Sequence, residues 1–278
     1  MKKNCENNND AVKEIVSRLE DGVKNLFDSE AYKNFLEVMA KFYNYSANNC
    51  LLIAIQCPTA SYVAGYSAWQ TKFKRQVRKG EKAIKILAPC PHKFVKEVEN
   101  EDGSKEEREI CYTTFRTANV FDVSQTEGED LPSICKEVGD EVENFEELFG
   151  KLEKVSPVKI SFEDIQTGAN GYFSTTEKKI VVKAGMPQGQ TLKITVHEIA
   201  HAILHDKDSG EEKDADRKTK EVQAESVAYT VCNFLGLDTS EYSFGYVAGW
   251  STGKEVKELQ NSLEVIRKTA SEIIGALA

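Results

Sequence analysis

The pentapeptide His197-Glu198-Ile199-Ala200-His201 constrains this chain more than any other feature. Residues four apart on an α-helix lie one above the other on the same face. The two imidazoles can therefore meet at one metal ion, with Glu198 beside the first of them. In this arrangement zinc acidifies a water and the glutamate takes its proton. The flanking run TLKITVHEIAHAILH suits a helix, since Ile194, Val196, Ile199, Ala202 and Ile203 can face a core while the histidines face a cleft.

A catalytic zinc takes three protein ligands and keeps one position open. The extended pattern with a third histidine is absent, because Lys207 stands where that histidine belongs and Leu204 where the pattern needs glycine. The segment KEVQAESVAY offers carboxylates instead. Glu221 and Glu225 share one helix face. Glu221 is expected to bind the metal and Glu225 to orient a ligand imidazole; on spacing alone the reverse assignment stays open. His205 would close the vacant position if it bound the metal, so it is read as a helix-end packing residue.

The rest of the chain sets the frame. Its 278 residues, 40% of them hydrophobic, can bury a core without staples. The longest apolar runs, such as Leu51–Ile55, fall far short of the roughly 20 residues of a membrane span. No apolar stretch follows the opening MKKNCENNND, so no secretory signal is expected. Seven widely spaced cysteines without a CxxC read as free thiols in a reducing cytosol. A cytoplasmic protein without a membrane partner is therefore expected.

Periodicity predicts three helices between Ala11 and Cys57, with Asp28 or Ser29 and then Ser46 as caps. Short strands and a short helix follow, with strands at Ala83–Ala88 and Tyr112–Val123 and an exposed hairpin loop at NEDGSKEERE. Residues 126–144 are acidic and turn-rich and read as a linker. Beyond them come a strand at Val158–Phe162 and a hairpin, Gly171–Phe173 with Lys179–Val182. Helices at Gln190–His205, about Asp216–Leu235, and Glu255–Leu277 complete the chain. The expected fold class is α+β, with domains at 1–125 and 145–278.

The net charge of −9 counts against a nucleic-acid partner, but the charge is unevenly spread. KFKRQVRKGEKAIK, residues 72–85, carries Lys72, Lys74, Arg75, Arg78, Lys79, Lys82 and Lys85 against one acid, Glu81. Tyr45, Tyr62, Tyr66, Trp69 and Phe73 lie nearby in sequence. Cations mixed with aromatics suit single-stranded nucleic acid, because every base has a face to stack on. Trp69 could equally be a core residue.

Both halves resemble known families. YSANNCLLIAIQCP, VAGYSAWQ and QVRKGEKAIKILAP are similar to the N-terminal domain of ArdC-type antirestriction proteins, a group that includes LtrC-like proteins of mobile elements. Tyr45, Ser46, Asn49, Gly65, Tyr66, Trp69, Val77, Arg78, Lys79, Gly80, Glu81 and Lys82 are among the matching residues. The second half resembles gluzincin-like metallopeptidases, more narrowly the ImmA/IrrE group, on His197, Glu198, His201 and Glu221. The resemblance implies a helical and antiparallel-strand domain that binds single-stranded DNA, joined to a zincin domain holding Zn2+ and acting on a protein or peptide. It further implies protection of mobile-element DNA against restriction. The expected DNA-binding residues are Tyr45, Asn49, Trp69, Lys74, Arg75, Arg78, Lys79 and Lys82. Two rivals are a regulatory peptidase that cleaves a protein partner and a DNA-binding module with an inactive zinc domain.

Overall fold

The computed structural model describes residues 2–99, 105–129, 131, 144–166, 168–208, 210–212, 214–240, 242 and 244–278, with backbone alone at 2–9, 94, 96–99 and 105–110. The described residues combine helices with small sheets, as the α+β expectation required. Two compact units divide the chain, one of Met1–Asp21 and Val63–Glu129, the other of Gly22–Tyr62 and Asp130–Ala278. This division differs from a single break at the acidic segment, because it assigns 22–62 to the second unit. Most of that acidic segment lies outside the described residues.

Three helices open the chain: α1 (Lys2–Leu26), α2 (Ser29–Lys41) and α3 (Ala47–Gln56). Asp28 accepts a hydrogen bond from the Glu30 N–H at 3.1 Å, and Ser46 accepts one from Asn49 at 3.3 Å. Each side chain satisfies an N–H that has no partner within its own helix.

In the first unit, β1 (Val63–Gly65) leads into α4 (Tyr66–Thr71) and β2 (Arg75–Val77), followed by β3 (Ile84–Glu99), β4 (Lys105–Asp122) and β5 (Thr126–Gly128). One sheet has the order β1-β4-β3, and β2 pairs with β5. β3 and β4 form a long antiparallel ribbon, from Ile84 opposite Val120 to Glu99 opposite Lys105. The strands therefore run into the segment expected to be a loop, of which residues 100–104 lie outside the described residues. Charged side chains lower strand propensity only modestly, so backbone pairing with a neighbouring strand can extend through them.

In the second unit, α5 (Phe145–Val155) precedes β6 (Lys159–Glu163), β7 (Gly171–Ser174) and β8 (Lys179–Lys183), and the helices α6 (Gln188–Leu204), α7 (Arg217–Phe234), α8 (Val247–Ser251) and α9 (Val256–Leu277) follow. The sheet order is β6-β8-β7, with β6 parallel and β7 antiparallel to β8. Val181, Val182, Val196, Ile199, Val227 and Ile266 are wholly buried at its core. α2 packs on α7: the Tyr32 and Ser226 hydroxyls are 2.8 Å apart, and Tyr229 donates to Glu37 at 2.9 Å. Tyr32, Phe35, Leu36 and Met39 are fully buried. Phe35, Leu36 and Met39 thus give α2 an apolar face within the core of this unit. No helix among the described residues is long and apolar enough to cross a membrane.

Candidate functional site

α6 carries the HExxH residues and α7 the downstream carboxylates. Asp216 caps α7, accepting from the Thr219 N–H at 3.1 Å. Three donor atoms from the two helices converge. His197 Nε2 and His201 Nε2 are 3.0 Å apart, and Glu221 Oε2 lies 3.8 Å from the first and 3.9 Å from the second. Two atoms bound to a tetrahedral zinc stand about 3.3 Å apart when each metal bond is about 2.05 Å. The observed separations bracket that value, so His197, His201 and Glu221 form a group that fits a metal ion.

Glu225 stands apart from this triangle. Its Oε2 lies 3.2 Å from His197 Nδ1, on the ring edge away from the other donors. A carboxylate there holds the imidazole's second nitrogen and turns Nε2 toward the shared point. Glu198 is buried, with 7% of its surface exposed. Burial raises its pKa, opposed by the charge of His197 and by the Phe173 N–H that donates to the carboxylate. A carboxyl tuned upward is better matched to trading a proton near neutral pH.

The imidazoles divide by environment. Burial first, then His197, His205 and Lys220, bring His201 down to about 3. Burial likewise brings His205 down to about 4, against the hydrogen bond with Gln223. Both are neutral at pH 7, with lone pairs to offer. For His197 burial works the other way from the net result. The Glu225 hydrogen bond and the charges of Glu198, Glu225 and Glu221 outweigh it and raise the pKa.

His197, Glu198, His201, His205 and Glu221 line a cleft of about 720 Å³, whose wall includes Tyr172, Phe173, Lys207, Arg217 and Lys220. β7 forms one side. A Cβ on Gly171 would come within 2.5 Å of Ile194 Cγ2 and 3.1 Å of the Val181 carbonyl. Only glycine lets β7 close on α6, which brings the Phe173 N–H to Glu198.

His205, expected to be a packing residue, is buried, and both its ring nitrogens are engaged. Nδ1 lies 2.9 Å from His201 Nδ1 and Nε2 lies 2.9 Å from Gln223 Oε1. Sequence reasoning passed over Gln223. The one available signal was that His205 follows His201 by four residues and so shares the ligand face.

The expected nucleic-acid residues fare unevenly. Trp69 is fully buried and donates from its indole to the Phe121 carbonyl at 2.9 Å. A ring inside the core offers no face to a base, so its stacking role is corrected to a structural one. Trp69→Ala should cost about 3–5 kcal/mol of stability in a denaturant melt. Arg75 is also occupied, with Nε 2.8 Å from Thr126 Oγ1 and NH1 on the Gly128 and Glu129 carbonyls. Arg78 contacts Glu81 at 2.7 Å and the Ser124 carbonyl at 2.7 Å. The two guanidiniums brace the β2–β5 pair and the turn at Gly80, whose φ of 94° suits glycine. Lys74, Lys79 and Lys82 are exposed. Tyr45 and Asn49 belong to the second unit, where Tyr45 is half-buried and Asn49 is 9% exposed.

Comparison with known proteins bears on both halves. Residues 6–121 match the family model "N-terminal domain of anti-restriction factor ArdC". Residues 107–228 match the model "Putative metallopeptidase family (DUF6782)", a span that includes all the donor residues above. A protein of Bacillus anthracis, itself described as uncharacterized, is 29% identical over 304 residues, covering 95% of this chain and 51% of its own length. The chain thus spans about half the length of that curated relative. Two crystal structures of the antirestriction ArdC protein from the R388 plasmid are 22% identical, each covering 84% of this chain and 82% of its own. Their TM-scores are 0.49 for the metal-free form and 0.46 for the Mn(II)-bound form. Across residues 6–228 the chain thus matches, in order, the N-terminal domain of the anti-restriction factor ArdC and then a metallopeptidase family, the pairing that an ArdC-type protein would have.

Proposed function

We propose that this chain binds single-stranded DNA through its first unit, carries a zinc-dependent peptidase centre in its second, and serves antirestriction of mobile-element DNA. The convergence of His197 Nε2, His201 Nε2 and Glu221 Oε2 on one point carries this reading. His197, His201 and Glu221 would hold the ion, and Glu225 would orient His197 through Nδ1. When bound, the ion acidifies a water and polarises a scissile carbonyl. Glu198, beside His197 in the cleft, would act as general base toward water and then as general acid toward the leaving amine. β7 is an edge strand of its sheet, so an extended peptide can lie along it by strand addition. The N,N,O donor set also accepts other divalent ions, so elemental analysis of the purified protein identifies the one it carries. Free thiols at Cys50, Cys57, Cys90, Cys111 and Cys232 support a reducing, cytoplasmic setting.

For the DNA half, the exposed lysines are the better probes, because Arg75 and Arg78 brace the fold. Each phosphate contact on a single strand contributes about 0.7 to the slope of log K against log salt. Lys79→Ala combined with Lys82→Ala should therefore flatten that slope by about 1.4 in a filter-binding titration. An unchanged slope would move the interface elsewhere, and no retention of single strands at low salt by the unmodified protein would end the DNA-binding reading.

A further inference from the structure

His205, Gln223 and Glu212 lie behind the candidate metal centre in an unbroken line. His205 ends α6, one turn beyond His201, and only 5% of it is exposed. Its Nδ1 is 2.9 Å from His201 Nδ1, and its Nε2 is 2.9 Å from Gln223 Oε1. Gln223 on α7 is wholly buried. Its Nε2 lies 3.4 Å from Glu212 Oε2 and 3.2 Å from Ser262 Oγ on α9. Glu212 is itself anchored, its N–H donating to the Leu204 carbonyl at 2.8 Å.

The chemistry of these groups gives the line a direction. The Gln223 amide is placed with its NH2 toward Glu212 and Ser262 and its Oε1 toward His205, and the NH2 can only donate. A carbonyl oxygen only accepts, so His205 Nε2 carries the proton. A neutral imidazole has one N–H, which leaves His205 Nδ1 as an acceptor. His201 Nδ1 must then donate to it, and the His201 lone pair falls on Nε2. That atom is the one facing His197 Nε2 and Glu221 Oε2. With the opposite polarity, a proton would occupy the point where the three donors meet.

We infer that Glu212, Gln223 and His205 form a directional hydrogen-bond relay that fixes the tautomer and ring orientation of His201. His205 is thus a positioning residue and not a fourth ligand. The inference rests on the metal reading for its purpose, but its geometry stands without an ion. It also explains a costly arrangement: a primary amide and an imidazole are held where leucine or phenylalanine would pack, and a buried polar group is tolerated only when its partners are in place. The two ligand histidines are oriented differently, His197 by the carboxylate of Glu225 and His201 by a neutral chain that ends in a carboxylate two residues removed.

The test has two arms. In the metal-free wild type labelled with 15N-histidine, long-range proton–nitrogen spectra should find the His201 proton on Nδ1 and the His205 proton on Nε2. A His201 proton on Nε2 would overturn the relay whether or not the protein binds zinc. In the second arm, zinc affinity is measured by chelator competition for His205→Phe and His205→Gln. Phenylalanine keeps the packing and removes both hydrogen bonds, so affinity should fall by about 10–100-fold. The glutamine amide can accept from His201 and donate to Gln223, so it should restore most of the loss. Wild-type affinity in a folded His205→Phe protein would make His205 a packing residue only and overturn the inference. If His205→Phe does not fold, Gln223→Leu asks the same question one link further back. Failure of the wild type to bind zinc at all would instead refute the metal reading, with the tautomer spectra still deciding the relay.

Discussion

Glu198→Gln should leave metal content unchanged and lower hydrolysis of a denatured casein probe by about 10²–10⁴-fold, the usual contribution of a positioned general base. The substitution is nearly isosteric. The new amide oxygen can still accept from the Phe173 N–H, which reaches the carboxylate in the parent protein. It also removes a carboxyl whose burial penalises its charged form, so the variant should fold at least as well. Loss of activity would therefore report chemistry rather than collapse. The same variant separates the rival functions. If DNA protection in cells survives Glu198→Gln unchanged and the parent cleaves no peptide, the second unit is not a working peptidase, even with a metal bound.

His201→Ala should abolish stoichiometric metal binding. Loss of a direct ligand should exceed the roughly 10–100-fold typical of losing an orienting partner. The parent's melting temperature should rise on adding zinc, because an ion that binds only the folded state stabilises it by mass action. The variant's should not. His201 is largely buried, with 15% of its side chain exposed, so its removal could also disturb packing. Glu221→Ala excludes that explanation, since 53% of the Glu221 side chain is exposed. The two variants should lose the metal alike while differing in stability. A Glu221→Ala protein that keeps a tightly bound ion would exclude Glu221 as ligand and reopen the role of Glu225.

Much of the second unit was legible from spacing. HExxH can offer two imidazoles to one ion only if the segment is helical, and helical periodicity pointed the same way. The step of four residues placed Glu221 and Glu225 on one face but could not order them. That order depends on how α7 crosses α6, which sets Glu221 toward the two Nε2 atoms and Glu225 toward His197 Nδ1. Local caps were equally readable, because Asp28, Ser46 and Asp216 act within three residues of themselves.

Reading failed where a residue's partner is remote. A tryptophan beside a basic run has the composition of a stacking platform, yet Trp69 donates to Phe121, 52 residues away, from inside the core. Arg75 and Arg78 have the composition of phosphate contacts, yet β5 and the turn before it supply their acceptors.

From the amino-acid order alone came the chemistry: two imidazoles and a base on one helix turn, carboxylates on the next helix, and a concentrated positive charge upstream. Those follow from short-range geometry, which 3.6 residues per turn dictates. Folding in three dimensions assigned the partners. It chose which carboxylate meets the two imidazoles, took two arginines and a tryptophan for the scaffold, and joined His205 to Gln223, because contacts between distant segments depend on how helices pack and no local period encodes that.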